Sequence, residues 1–251
     1  MPRNVHRRPD ARSALITALA VVASGCLLSV VLGSPQPSPP LAGHTDRGTT
    51  SSPAPPTAEF EMDPNTAPAP PAAPTYVEQG AGTLTNVPGN SELLGAGPTK
   101  RFIVQTEDGI NADGAAFAAA VESTLGDPRG WSAGGMNSFQ RIDAGPYDFV
   151  VMLVSPLHVE NYCPGAGTQG YTSCRYKERV VINLARWETA VPEYQGDLAT
   201  YRLYVINHEV GHALGHPHEQ CPAPGALAPV MQQQTMALNG CLKNGWPHPN
   251  G

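Results

Sequence analysis

The sequence predicts an α+β domain, a mixed sheet followed by one long helix, set behind an apolar segment and a Pro-rich linker. Three observations predict it. Proline, 27 residues in a chain of 251, is crowded into the first third. Short apolar runs of strand type then recur between Lys100 and Leu184. One stretch from Asp197 to Leu214 instead places its apolar residues at helical spacing and stops at a glycine. The chain divides accordingly into residues 1–33, 34–75 and 76–251.

Residues 1–12 carry Arg3, Arg7, Arg8 and Arg12 against Asp10, a balance of +3, so that of the total of −6 the remainder holds −9. An acidic body has no basic stripe to neutralise phosphates, which argues against nucleic acid. The arginines instead precede Ala14–Gly33, twenty residues without a charge. A basic flank before such a run reads as an export signal or as a membrane anchor with its N-terminus inside. The run is long for a signal and just long enough to span, so a cleaved signal and an uncleaved anchor both stand. Cys26 follows Ala-Ser-Gly, loosely like a lipoprotein processing site, or is simply a small apolar residue of the run.

From Ser34 to Thr75 the residues are mainly Pro, Ala, Ser and Thr. Such a stretch buries too little surface to offset its ordering entropy, and it reads as an extended linker or stalk, with a propeptide as the rival. Beyond Tyr76 the text becomes globular. Lys100–Thr106 alternates as a strand, and Asp113–Leu125 is helical through Phe117, Val121 and Leu125. Ser138–Ile142 and Tyr147–Ser155 read as strands, the second apolar enough to be central, and Val180–Leu184 is another. The segment between Cys163 and Cys174 is Gly-rich and loop-like, and the Pro-containing remainder after Gly215 is irregular.

Four cysteines, Cys163, Cys174, Cys221 and Cys241, lie in this part. An even set in an exported domain implies two disulfides, and loop closure favours Cys163–Cys174 and Cys221–Cys241. No pair has the short spacing of a Cys-based zinc site.

The chemistry is concentrated in His208-Glu209-Val210-Gly211-His212-Ala213-Leu214-Gly215-His216-Pro217-His218. Residues four apart share a helix face, so His208 and His212 can present two imidazoles to one ion. Glu209 is turned about 100° from the first ligand, off the metal yet near a water on it. Leu203, Ile206, Val210 and Leu214 form a neighbouring stripe that would anchor the helix. Gly215 lets the chain turn and bring round a third ligand, His218, with His216 as the rival. Three neutral imidazoles leave one position of a zinc ion open, as catalytic sites require. One Zn2+ per chain is expected, with Glu209 as the general base.

The segment His208–His218 resembles the extended zinc motif of metzincin metallopeptidases, and Glu219-Gln220 after it resembles the astacin branch. The resemblance implies a zincin-like catalytic domain over residues 76–251, with Met231, in Ala228-Pro229-Val230-Met231-Gln232, as the methionine of a tight turn below the metal. It also implies that Val180–Leu184 is the edge strand that pairs with an extended substrate, although a plain sheet strand fits equally. The chain is similar, too, to small exported actinobacterial zincin-like proteins of unsettled function. One departure stands out. Astacins carry a tyrosine two residues after the methionine, and this chain has Gln233 there. Tyr194, Tyr201 and Tyr204 cannot be assigned that role from sequence.

The expected activity is that of a zinc metalloendopeptidase acting on a peptide or protein substrate, secreted or held at the membrane by its N-terminal segment, and monomeric. A non-catalytic envelope-binding module with the same fold is the alternative, as is a zinc hydrolase of a non-peptide envelope bond.

Overall fold

The strands with the most apolar sequence lie innermost. A computed structural model describes residues 76–251. The segments 1–33 and 34–75, with Cys26, lie outside the described residues. Strands β1 (Leu84–Asn86), β2 (Leu94–Gly95), β3 (Thr99–Glu107), β4 (Ser138–Arg141), β5 (Phe149–Val154), β6 (Cys174–Tyr176) and β7 (Arg179–Asn183) form one mixed sheet of order β2-β4-β3-β5-β7-β6, with β1 also on β3. The β4–β3, β3–β5 and β5–β7 pairs are parallel, and β1, β2 and β6 add antiparallel.

Both faces of the centre are covered, which explains why all six residues of β5 are buried. On one face Phe102, Val104, Val151, Leu153, Val180 and Ile182 pack with helices α1 (Gly114–Gly126) and α4 (Leu198–Ala213). The opposite face, with Ile103, Val150, Met152 and Val181, meets α2 (Val159–Tyr162) and the Cys163–Cys174 disulfide. Alternate residues of each strand therefore serve two separate cores.

Helix ends follow local chemistry. Asp113 caps α1 by accepting from the Ala116 N–H at 3.0 Å, and Asp197 caps α4 through the Thr200 N–H at 3.0 Å. Past Leu214 the chain turns at Gly215, whose φ of 95° suits glycine. The expected anchoring stripe of α4 is only part of its burial. Every residue from Tyr204 to Gly211 is buried, so this helix is enclosed by core on several sides.

Two expectations need correction. Val180–Leu184 is not an edge strand. β7 lies between β5 and β6, and Leu184 opens the next helix, α3 (Leu184–Thr189), because the Asn183 side chain accepts from the Ala185 N–H at 2.9 Å. The edge is β6, which falls at the end of the segment expected to be loop. Its three residues turn back at Lys177, with a φ of 54°, and are too few to show alternation.

Beyond Gly215 the chain has no regular element and is tied by the Cys221–Cys241 disulfide and a Leu227–Leu242 bridge. Among the described residues no helix is long and apolar enough to cross a membrane.

Candidate metal centre

His208 and His212 stand one turn apart on α4, and the turn at Gly215 brings His218 back to them. One possible ligand atom of each lies within 4.8 Å of those of the other two. His212 Nε2 and His218 Nε2 are 3.0 Å apart. His216 stands elsewhere, its ring stacked on Trp131 with centroids 4.2 Å apart. Of the two candidates for third ligand, the chain brings His218 to the pair and turns His216 away.

The imidazoles are oriented by backbone carbonyls. A carbonyl can only accept, so His208 Nδ1 donates to Val230 O and His212 Nδ1 to His216 O, both at 2.9 Å. Each Nε2 is then an unprotonated lone pair, the form in which histidine binds a metal. Burial lowers His208 to about 3, against the gain from its bond to Val230. His212 is lowered too, by burial first, which outweighs its bond to the His216 carbonyl, with the charge of Arg175 adding to the effect, and burial lowers His218. The donor set is therefore neutral nitrogen, which suits zinc in a tetrahedral site with one position left over.

Glu209 lies 5% exposed on the same helix. No described residue offers its carboxyl a hydrogen bond or an ion pair, and burial pushes it up to about 8. The residue lines the cleft over the histidines, and a carboxyl with a raised affinity for its proton in such a place is where a ligand or a reaction uses it.

The segment after His218 holds the floor. Met231 is fully buried and packs against Gly211, and its carbonyl accepts from the Glu219 N–H at 3.0 Å. Val230 orients His208, and Met231 fixes the chain just past His218, so two neighbouring residues support two of the three histidines. The tyrosines hold this segment in turn. Tyr194 donates to Gln234 Oε1 at 2.8 Å, Tyr201 pairs with Thr235 Oγ1 at 2.9 Å, and Tyr204 donates to Gln232 O at 3.2 Å. Burial first of all raises all three phenols. The hydroxyls of Tyr194 and Tyr204 are spent as donors on this segment, and that of Tyr201 is paired with Thr235.

A cleft of about 500 Å³ opens over the centre. His208, Glu209, His212 and His218 line it together with Arg175 of β6, Thr168 of the Gly-rich loop, and Gln233, Thr235 and Met236. That loop is ordered by one carboxylate. Glu160 accepts from the N–H groups of Gly165, Gly167 and Thr168 and from Thr168 Oγ1, at 2.8–3.2 Å.

The chain matches, over residues 70–247, the model of a family described as "Protein of unknown function (DUF3152)". It belongs to that family. No curated protein and no solved structure matches it. The DUF3152 match takes in the whole sheet, α4 and the histidine cluster.

Sequence reasoning did not single out Trp131, Glu160 or Arg175 as parts of this site. Trp131 reaches the helix by donating from Nε1 to Asn207 O at 2.9 Å, across 76 positions of chain. No local pattern announces such a contact. Tyr204 precedes His208 by four residues and was open to discovery by helical spacing.

Proposed function

We propose that this domain is a zinc-dependent peptidase of the metzincin kind, acting outside the cytoplasm. The observation that carries the reading is the pairing of three convergent neutral imidazoles with an unpartnered buried carboxyl at one cleft. His208, His212 and His218 would hold the ion, and Met231 supports them from below. Zinc bound there supplies a Lewis acid for a carbonyl oxygen and makes water a nucleophile near neutral pH. Glu209, beside His208 on the helix, takes the proton of the attacking water on a carboxylate oxygen. It then returns that proton to the leaving amine nitrogen.

The disulfides support an oxidising compartment, because such bonds persist outside the reducing cytosol. A second reading, a binding module that holds zinc without turnover, is favoured by the engaged tyrosine hydroxyls and by Gln233 at the astacin tyrosine position.

Metal content tests the ligand set. The purified full chain should carry one zinc, which His212→Ala and His218→Asn should lose and His216→Asn and Glu209→Gln should keep. Zinc lost from His216→Asn but kept by His218→Asn would overturn the assignment.

A further inference from the structure

The cleft that holds the histidines also holds a cation with nothing to bind. Arg175 is exposed on β6, the outer strand, and its guanidinium meets no hydrogen-bond acceptor or carboxylate among the described residues. Three arginines elsewhere on the domain are engaged by acids, while Arg179 and Arg186 reach only backbone carbonyls and Arg101, on β3 and away from the cleft, has no side-chain partner among the described residues. Arg129, Arg141 and Arg202 each face an acidic partner, at 2.8, 2.6 and 3.4 Å. Unlike histidine, arginine keeps its charge at any working pH. The one carboxylate lining the cleft is Glu209, which is buried, so no acidic side chain of the cleft wall competes for the guanidinium. The wall around it is neutral and hydrogen-bonding, through Thr168, Thr172 and Gln233.

The backbone that presents Arg175 is firmly held. Cys174, the preceding residue, is bonded to Cys163, and Arg175 itself pairs in register with Val180 of β7. The adjoining loop is fixed by Glu160. The backbone under the guanidinium is thus ordered before any ligand arrives, so binding has only the side chain left to order. Its planar fork matches a carboxylate better than any other acceptor a peptide offers.

We infer that Arg175 is a specificity-determining residue that selects peptides with a carboxylate close to the bond to be cut. The carboxylate is that of an Asp or Glu side chain or of a free C-terminus. This inference rests on the peptidase reading above.

The test uses the full chain and three fluorescein-labelled peptides of one sequence. The first has a central Glu and an amidated end, the second a central Gln and a free end, and the third a central Gln and an amidated end. Position-scanned mixtures place the acidic residue at each distance from the cleavage site. The parent should favour an acidic peptide over the doubly neutral one by about ten-fold in kcat/KM, the scale of one charged hydrogen bond. Preference for the first peptide identifies a side chain, and preference for the second identifies the terminus. Arg175→Ala should bring the ratio near one, Arg175→Lys should retain part of it, and Arg175→Glu should shift preference to a Lys-containing peptide. A parent without acidic preference, or an unchanged ratio in Arg175→Ala, overturns the inference. If the parent cuts nothing, the peptidase reading has failed, and fluorescence anisotropy of the same peptides decides the rest. Tighter binding of an acidic peptide that is lost in Arg175→Ala keeps the subsite, and equal binding of all three removes it.

Discussion

A methyl group on Gly211 would stand 2.7 Å from Trp131 Cζ2 and 3.3 Å from Met231 Cε. Both neighbours are buried and cannot swing into solvent. Alanine would improve helix propensity by about 1 kcal/mol, but overpacking a closed site costs about 1–3 kcal/mol, so the clash wins. Gly211→Ala should lower the melting temperature and, by displacing Met231 and with it Val230 O and the Glu219 link, weaken zinc retention in a chelator competition. Unchanged retention would mean that Met231 does not support the histidines. The same residues mark the limit of sequence reading. His208, Glu209 and His212 are legible because one helix turn joins them. The need for glycine at 211 is not, because it depends on Met231 and Trp131, which arrive from distant parts of the chain.

At the scale of elements, two fastenings hold the frame. The Cys221–Cys241 disulfide closes the segment that contains Met231, with a separation of 20 residues. Replacing both cysteines by serine should cost about 3 kcal/mol in denaturant unfolding and weaken zinc retention as well, because the loop beneath the centre loosens. Loss of stability with zinc binding untouched would restrict the disulfide to a role in the fold.

The second fastening is Glu107, at the end of β3. It accepts from His158 Nδ1 at 2.5 Å, from Ser155 N–H and Oγ at 2.7 Å, and from Gly82 N–H at 2.9 Å. Burial by itself would raise its carboxyl, but these donors outweigh burial and hold it below the ordinary 4.5. A lowered carboxyl binds its proton less readily in the folded state. Its stabilisation is therefore present above the unfolded value and lost as pH falls through the folded one. Glu107→Gln should cost about 3 kcal/mol at pH 7, and the gap from the parent should narrow as pH falls past the ordinary 4.5 and through the lowered folded value. A gap independent of pH would show that shape and not charge matters at this position. Lys100–Thr106 was readable as a strand from its alternation, whereas Glu107, the next residue, carries no local sign of its role. Its donors come from positions 82, 155 and 158, which no periodicity connects.

For the whole molecule, the legible features were those with short-range causes. The apolar run of β5, the helix start at Asp197 and the stop at Gly215 each lie within a few residues of their effect. The two disulfide pairings followed from loop closure. What escaped was set by sheet order. β6 is three residues long and owes its place to pairing with β7, so the wall that carries Arg175 was hidden, and β7 was assigned an edge it does not occupy. The site is thus built from one readable helix, a floor from the irregular C-terminal segment, and a wall that appears only in three dimensions.

The central claim, that Glu209 and the three histidines hydrolyse peptide bonds, is tested most directly by one comparison. The full chain and its Glu209→Gln variant, both assayed for zinc, are incubated with a mixed peptide library, with and without a chelator, and the products are read by mass spectrometry. The account predicts equal zinc in both proteins, new peptide ends from the parent alone, and none after chelation. Zinc in both with no products from either, or products from Glu209→Gln at the parent's rate, would contradict it.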